Sequence, residues 1–282
     1  MENIISMKKA ICGSFAAIFT LIATQVLAGA IASIFVLLKI PEGICNIIAG
    51  VLYLALAYIF LKLLVNKLFK MSQNELGMPG FCINLKWILV AFMMPIVVKG
   101  AYLLLFDGEY IFTNMNGSKV FSTITAGIFF TGIAAGFVEE MVFRGVILNL
   151  LKKKWNIKVA VIVPSVLFGI VHILGMNFSF ISCLQVVVAG TMVGIMFSMI
   201  AIESGSVWNS GIVHAVWNIV IIGGGLSIGE KADEYSVMTY VLNSKTFTIT
   251  GGEFGIESSV ISVITYIVVA SIAFVMIKKK NI

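Results

Sequence analysis

VFSTITAGIFFTGIAAGFVEEMVFRGVILNL, running from Val120 to Leu150, is an apolar stretch broken by only three charges, Glu139, Glu140 and Arg144. A helix needs about 20 mostly apolar residues to cross a hydrocarbon layer about 30 Å thick, so this stretch is long enough to span a membrane. A charge near the middle of a span costs about 2.5–3.5 kcal/mol on insertion scales, and each one is therefore a candidate functional group. Arg144 is the only arginine in the chain; the other basic residues are lysines.

The rest of the chain has the same character. Of its 282 residues 60% are apolar and 11% charged, and the mean hydropathy is +1.08. Soluble domains average about 25% charged residues, so a water-soluble globule is excluded. Disordered chains are poor in aliphatic and aromatic residues, so disorder is excluded as well. Apolar windows predict eight spans, near 11–38, 44–65, 87–106, 120–150, 159–174, 181–202, 207–226 and 259–277. The expected fold is all-α and polytopic, a single integral-membrane domain over 1–282 with its motif-bearing helices at about 120–226. The link at 175–180 is the weakest boundary.

Lysine placement predicts the orientation. Twelve lysines flank one side of these spans (8, 9, 67, 70, 86, 152, 153, 154, 158, 278, 279 and 280), against Lys39, Lys119, Lys231 and Lys245 on the other. By the positive-inside rule both termini are cytoplasmic, as an even number of spans requires, and a plasma membrane is the expected location. The net charge of +6 thus reflects topology and predicts no nucleic-acid partner. Ala28-Gly29-Ala30 matches a signal-peptidase site, but the apolar run continues through Leu38, so the first span is expected to be retained. The four cysteines have no CxxC or metal-like spacing and are expected as small buried residues. Pro95 and Pro164 fall within spans, Lys62 is placed to snorkel, and Lys99 has no evident partner. Between the last two spans, Thr246-Phe247-Thr248-Ile249-Thr250 followed by Gly251-Gly252 is a modest hairpin signal.

Both histidines, His172 and His214, lie within predicted spans. At about 1.5 Å per residue, Glu139 is about 20 Å from Lys152, His172 about 21 Å from Lys158 and His214 about 16 Å from Glu203. A carboxylate and two imidazoles on three helices therefore reach similar depth. Asn218 shares a helix face with His214, as Phe168 does with His172. Glu140 and Arg144, four residues apart, are placed to pair, which leaves Glu139 free to face elsewhere. Gly132 and Gly136, in GxxxG spacing, permit a close helix neighbour.

A carboxylate and a neutral imidazole around one water can take its proton, and a second imidazole with an amide can stabilise an oxyanion. The same glutamate and histidines, Glu139, His172 and His214, are the candidate ligands if a divalent metal such as zinc is used. Either route hydrolyses an amide in the membrane. There is no HExxH helix or GxSG motif, and the only aspartates, Asp107 and Asp233, lie in loops, which removes three other kinds of intramembrane hydrolase.

Three motifs, Glu139-Glu140-Met141-Val142-Phe143-Arg144, Phe168-Gly169-Ile170-Val171-His172 and His214-Ala215-Val216-Trp217-Asn218, resemble the EExxxR, FxxxH and HxxxN/D motifs of the CPBP (CAAX protease and bacteriocin-processing, or Abi) intramembrane proteases. The segment Gly251-Gly252-Glu253-Phe254-Gly255 looks like one common in bacterial members. The resemblance implies that Glu139 and His172 activate water, that His214 and Asn218 form the oxyanion hole, that Glu140 and Arg144 hold the site together and that Phe168 packs against it. It implies an endopeptidase acting on a membrane-associated peptide or protein, with cleavage expected near the cytoplasmic face and membrane lipid as the other partner. Some members instead serve as immunity proteins or membrane scaffolds, a reading under which alanine variants of the motifs keep their phenotype. A proton-linked carrier is the third reading, though no inverted repeat is visible.

Overall fold

The computed structural model describes residues 5–174 and 179–280, so most of the 175–180 link lies outside the described residues. The fold is all-α and polytopic, as the composition requires. Six helices are long and apolar enough to cross a bilayer. They are α1 (Met7–Leu37), α2 (Glu42–Leu64, continued by one wider turn to Phe69), α3 (Leu85–Leu105), α4 (Gly117–Lys154), α6 (Phe180–Ser204) and α8 (Val260–Lys280). Two shorter apolar helices, α5 (Ile157–Val171) and α7 (Val207–Ile221), bring the total to the approximate eight. Helix α1 runs unbroken through Ala28-Gly29-Ala30.

The short helices correct two expected boundaries. The fifth span was expected to reach Leu174, but α5 ends at Val171 and His172–Leu174 form a turn. The seventh was expected to reach Leu226, but α7 ends at Ile221. Gly223, Gly224 and Gly225 follow, and Gly224 takes a φ of +77°, a left-handed conformation that closes the helix. Hydropathy does not register such a stop, because glycine is nearly neutral on that scale. Each short helix is 15 residues long, or about 22 Å. Their N-termini are capped by Asn156, which accepts from the Val159 amide at 3.0 Å, and by Ser206, which accepts from the Trp208 amide at 3.2 Å.

Both ends of the bundle are tied. At the lysine-rich end Glu203 of α6 accepts from Lys86 at 2.6 Å, Lys280 at 2.8 Å and the Trp87 indole at 3.0 Å, which joins α3, α6 and α8. At the lysine-poor end a small sheet forms from β1 (Gly108–Phe112), β2 (Leu226–Gly229) and β3 (Met238–Leu242). Strand β3 is central, antiparallel to β1 and parallel to β2, and Tyr110 lies opposite Tyr240. Lys99, unexplained in the sequence, donates its Nζ to the Leu226 carbonyl where β2 begins.

The expected hairpin at 246–256 is not formed. Both edges of β3 are already occupied, and Phe247–Thr250 make a helical turn ended by Gly251 at φ +77°. Two 3₁₀ turns follow, Gly252–Phe254 and Ile256–Ser258. The cysteines also differ from expectation: Cys45 is buried and Cys183 half-buried, but Cys12 and Cys82 are exposed, and none is in a disulfide.

The apolar interior has two clusters. One gathers α1, α2, the second half of α4 and Phe168; the other gathers α3, α6, α7, α8 and the sheet. Helices α4 and α7 meet at the seam between them. A Cβ on Gly136 would lie 2.8 Å from the Ala215 backbone, so the GxxxG face of α4 admits α7 as its spacing predicted. Gly136→Ala is therefore expected to cost about 1–3 kcal/mol. Gly100→Ala in α3, where an added Cβ meets nothing within 4 Å, is expected to gain up to about 1 kcal/mol. Opposite shifts in the unfolding midpoint of detergent-solubilised protein would show this pair of effects.

Candidate active site

Helix α4 is not uniform around its charges. Regular α-helix over Gly136–Glu140 lies between π-helical turns at Ala126–Ala135 and Met141–Ile147. Such wider turns shift which side chains share a face, and they recur at functional sites. Here two adjacent glutamates serve two different neighbours.

Glu140 and Arg144 form a fully buried pair, with Arg144 Nη1 donating to Glu140 Oε1 at 2.8 Å. The second guanidinium nitrogen, Nη2, donates to the Gly194 carbonyl of α6 at 3.1 Å. Three aromatic rings surround the cation: Phe168 at 4.6 Å, Phe197 at 5.2 Å and Phe143 at 5.8 Å from the guanidinium carbon. Arginine suits such a site because its delocalised charge is weakly hydrated and its planar face stacks on aromatic rings.

Glu140 has a second partner. His214 Nδ1 lies 3.1 Å from the same Oε1, and the ring stacks on Phe197 at 4.6 Å. Oε1 already accepts from Arg144, so Nδ1 is assigned as a second donor to it, and Nε2 lies 3.8 Å from Glu139 Oε2. His172 is set in a similar way. Its Nδ1 donates to the Phe168 carbonyl at 2.6 Å, which leaves Nε2 as the open position, and its ring rests on Phe168 at 4.5 Å. Asn218 donates one amide hydrogen to the Thr131 carbonyl at 3.0 Å and keeps another.

Glu139, Phe168, His172, His214 and Asn218 all line one cavity of about 460 Å³, whose walls are otherwise mainly apolar. Glu140 and Arg144 lie outside its lining and support it from behind. The cavity shares Ile222, Phe254 and Glu257 with a vestibule of about 860 Å³ at the lysine-poor end. The cavity therefore adjoins the vestibule at the lysine-poor end of the bundle. The short α5 and α7 are the physical reason, since they stop well before that end and the chain between β3 and α8 folds in to meet them.

That chain brings residues to which the sequence assigned no role. Phe254 stands edge-on to His172 at 6.2 Å. Glu257 lines both cavity and vestibule, and burial together with the charge of Glu139 pushes its carboxyl up to about 7 although the Trp217 indole donates to it. Glu253 is lowered by the Ser179 backbone amide, which donates to it at 3.1 Å. Their only sequence signal was the resemblance at 251–255, which stops two residues short of Glu257.

Among the described residues no three His, Cys, Asp or Glu side chains are grouped closely enough to hold a metal ion, and Glu139, His172 and His214 do not form such a set. What they provide is a carboxylate and two oriented imidazoles around a common space, a set suited to acid–base chemistry on water.

These features define an integral membrane protein whose polar site is enclosed by its own helices. Residues 121–220 match the family described as Rce1-like, type II CAAX prenyl endopeptidase Rce1-like. The match covers nearly all of α4 through α7, agrees with the CPBP/CAAX protease resemblance, and at the level of the family supports an intramembrane CAAX-type endopeptidase. No curated protein matches the chain.

Proposed function

We propose that the protein hydrolyses a peptide bond in a membrane-associated peptide or protein, with water activated by Glu139 and His172. The observation that carries this reading is the shared cavity. Glu139, both histidines and Asn218 face one space, while the buried Glu140–Arg144 pair holds its wall.

Glu139 lines the cavity with its side chain 21% exposed, and its buried Oε2 has no hydrogen-bond partner within the protein. It is the group available to take a proton from water, with His172 Nε2 as the second acceptor. Attack on the carbonyl carbon places negative charge on oxygen, which His214 and Asn218 are arranged to receive. With Nδ1 committed to Glu140, His214 donates to that oxygen only when Nε2 is also protonated, and Glu140 stabilises the resulting imidazolium. Glu140 thus orients a reacting residue besides anchoring Arg144.

The lysine distribution supports cytoplasmic termini, with the vestibule then on the opposite face of the plasma membrane. The test compares membrane-associated peptides from cells carrying the native protein with those carrying Glu139→Gln. Peptides present only with native protein, with one consistent terminus, are the expected result. Identical peptide sets, with the phenotype retained by Glu139→Gln, would favour the immunity or scaffold reading.

A further inference from the structure

Glu257 stands where the catalytic cavity joins the vestibule, on a segment built to hold it. Gly251 and Gly255, at φ +77° and +91°, fold this segment so tightly that a Cβ on Gly251 would lie 1.7 Å from the Gly255 carbonyl oxygen. Ser258 ties the turn shut by donating to Gly251 O at 2.8 Å and Gly255 O at 3.1 Å. Tyr266 of α8 donates its hydroxyl to the Glu257 carbonyl at 2.9 Å. Ser262 does the same to Ile256 at 2.6 Å, and Phe254 on this segment packs beside His172. So much fixation around one acid in a cavity wall is more than a surface loop needs.

We infer that Glu257 is a second catalytic carboxyl of this site, the acid that protonates the departing amine while Glu139 acts as base. The inference rests on the hydrolase reading above. The sequence of bonds balances. Water loses a proton to Glu139 as its oxygen bonds to the carbonyl carbon, and the carbonyl π pair moves to the oxygen. As the C=O reforms, the C–N bond breaks, and nitrogen accepts the Glu257 proton. Proton return from Glu139 to Glu257 through cavity water restores both groups, so peptide and water give one carboxylic acid and one amine. Two carboxyl groups in one enclosed space divide in this way because the ionised one disfavours ionisation of its neighbour. The raised carboxyl of Glu257 is consistent with this division.

Among the described residues, the charged and titratable groups around Glu257 are Glu139, His172, His214 and Tyr266 in the cavity, and Glu230, Lys231, Asp233, Glu234, Tyr235 and Glu253 around the vestibule. An acid must be protonated to act, so turnover by the native protein is expected to fall as pH rises above about 7.

The test uses purified full-length protein in liposomes and an internally quenched peptide containing the cleavage site found in the Glu139 comparison. Its partner substrate is a p-nitrophenyl ester of the same acyl segment, whose leaving group departs without a proton. Glu257→Gln is expected to lower kcat on the peptide about 100-fold, with KM within about twofold, to lose the alkaline decline and to cleave the ester at near-native rate. Glu139→Gln is expected to lose both substrates. Native-like peptide turnover by Glu257→Gln, or equal loss on peptide and ester, would overturn the assignment and leave the hydrolase reading standing. Peptide turnover that Glu139→Gln does not reduce, or its absence from the native protein, would remove the hydrolase reading and this assignment together.

Discussion

Glu139→Gln is expected to lower kcat by about 1,000-fold, within the range that positioned acid–base groups contribute. The exchange preserves the volume of the side chain and removes only its ability to take a proton. It should leave the fold unaffected, because Glu139 Oε2 accepts no hydrogen bond and His214 Nε2 lies 3.8 Å from it, beyond hydrogen-bond distance. Unfolding midpoint and KM are therefore expected to stay near native while kcat collapses. His172→Ala should fall less, by about 100-fold, since Glu139 remains. A Glu139→Gln protein that turns over at the native rate would contradict the role given to this carboxylate.

The second large effect is on stability. Arg144→Ala leaves Glu140 as an uncompensated charge at zero exposure, and breaking such a buried pair costs about 3–5 kcal/mol. Arg144→Lys should recover only part of this, because a single ammonium cannot reach both Glu140 and the Gly194 carbonyl with the geometry of a guanidinium. The informative variant is the double replacement Glu140→Leu with Arg144→Met. Apolar residues of similar volume often substitute for a buried pair without loss of stability. The double variant is accordingly expected to unfold near the native midpoint and yet to lack activity, because His214 Nδ1 loses its carboxylate. Native activity in a stable double variant would show that His214 needs no orienting acid.

These two predictions draw on different amounts of sequence information. The Glu140–Arg144 pair was readable from a spacing of four on one helix, and the common depth of Glu139, His172 and His214 from rise per residue alone. Helical periodicity carries such information because the residues involved are near neighbours along one helix or have their depth set by its rise. Lys99 finds its acceptor 127 residues away, at Leu226. Strand β1 pairs with a strand far downstream, and Glu257 reaches the cavity from beyond the seventh helix. None of these has a local signature; each follows from how helices pack. The missed helix ends have another cause: a window scaled to a full span carries apolar sequence through Leu174 and Leu226 although the backbone turns at His172 and at Gly224.

The brevity of α5 has a consequence for the surrounding lipid. This helix presents Ile162, Val163 and Ile170 outward, yet its length of about 22 Å falls about 8 Å short of the hydrocarbon thickness. Acyl chains beside it must tilt or compress, which draws headgroups and their water inward and dimples the bilayer next to His172. Under the proposed function, a polypeptide approaching from the lipid at that point would leave the oily layer before it reached Glu139 and the two histidines. Its backbone amides can then exchange helical partners for water at low cost, and an extended, cleavable strand becomes accessible where a membrane of full thickness would keep it coiled.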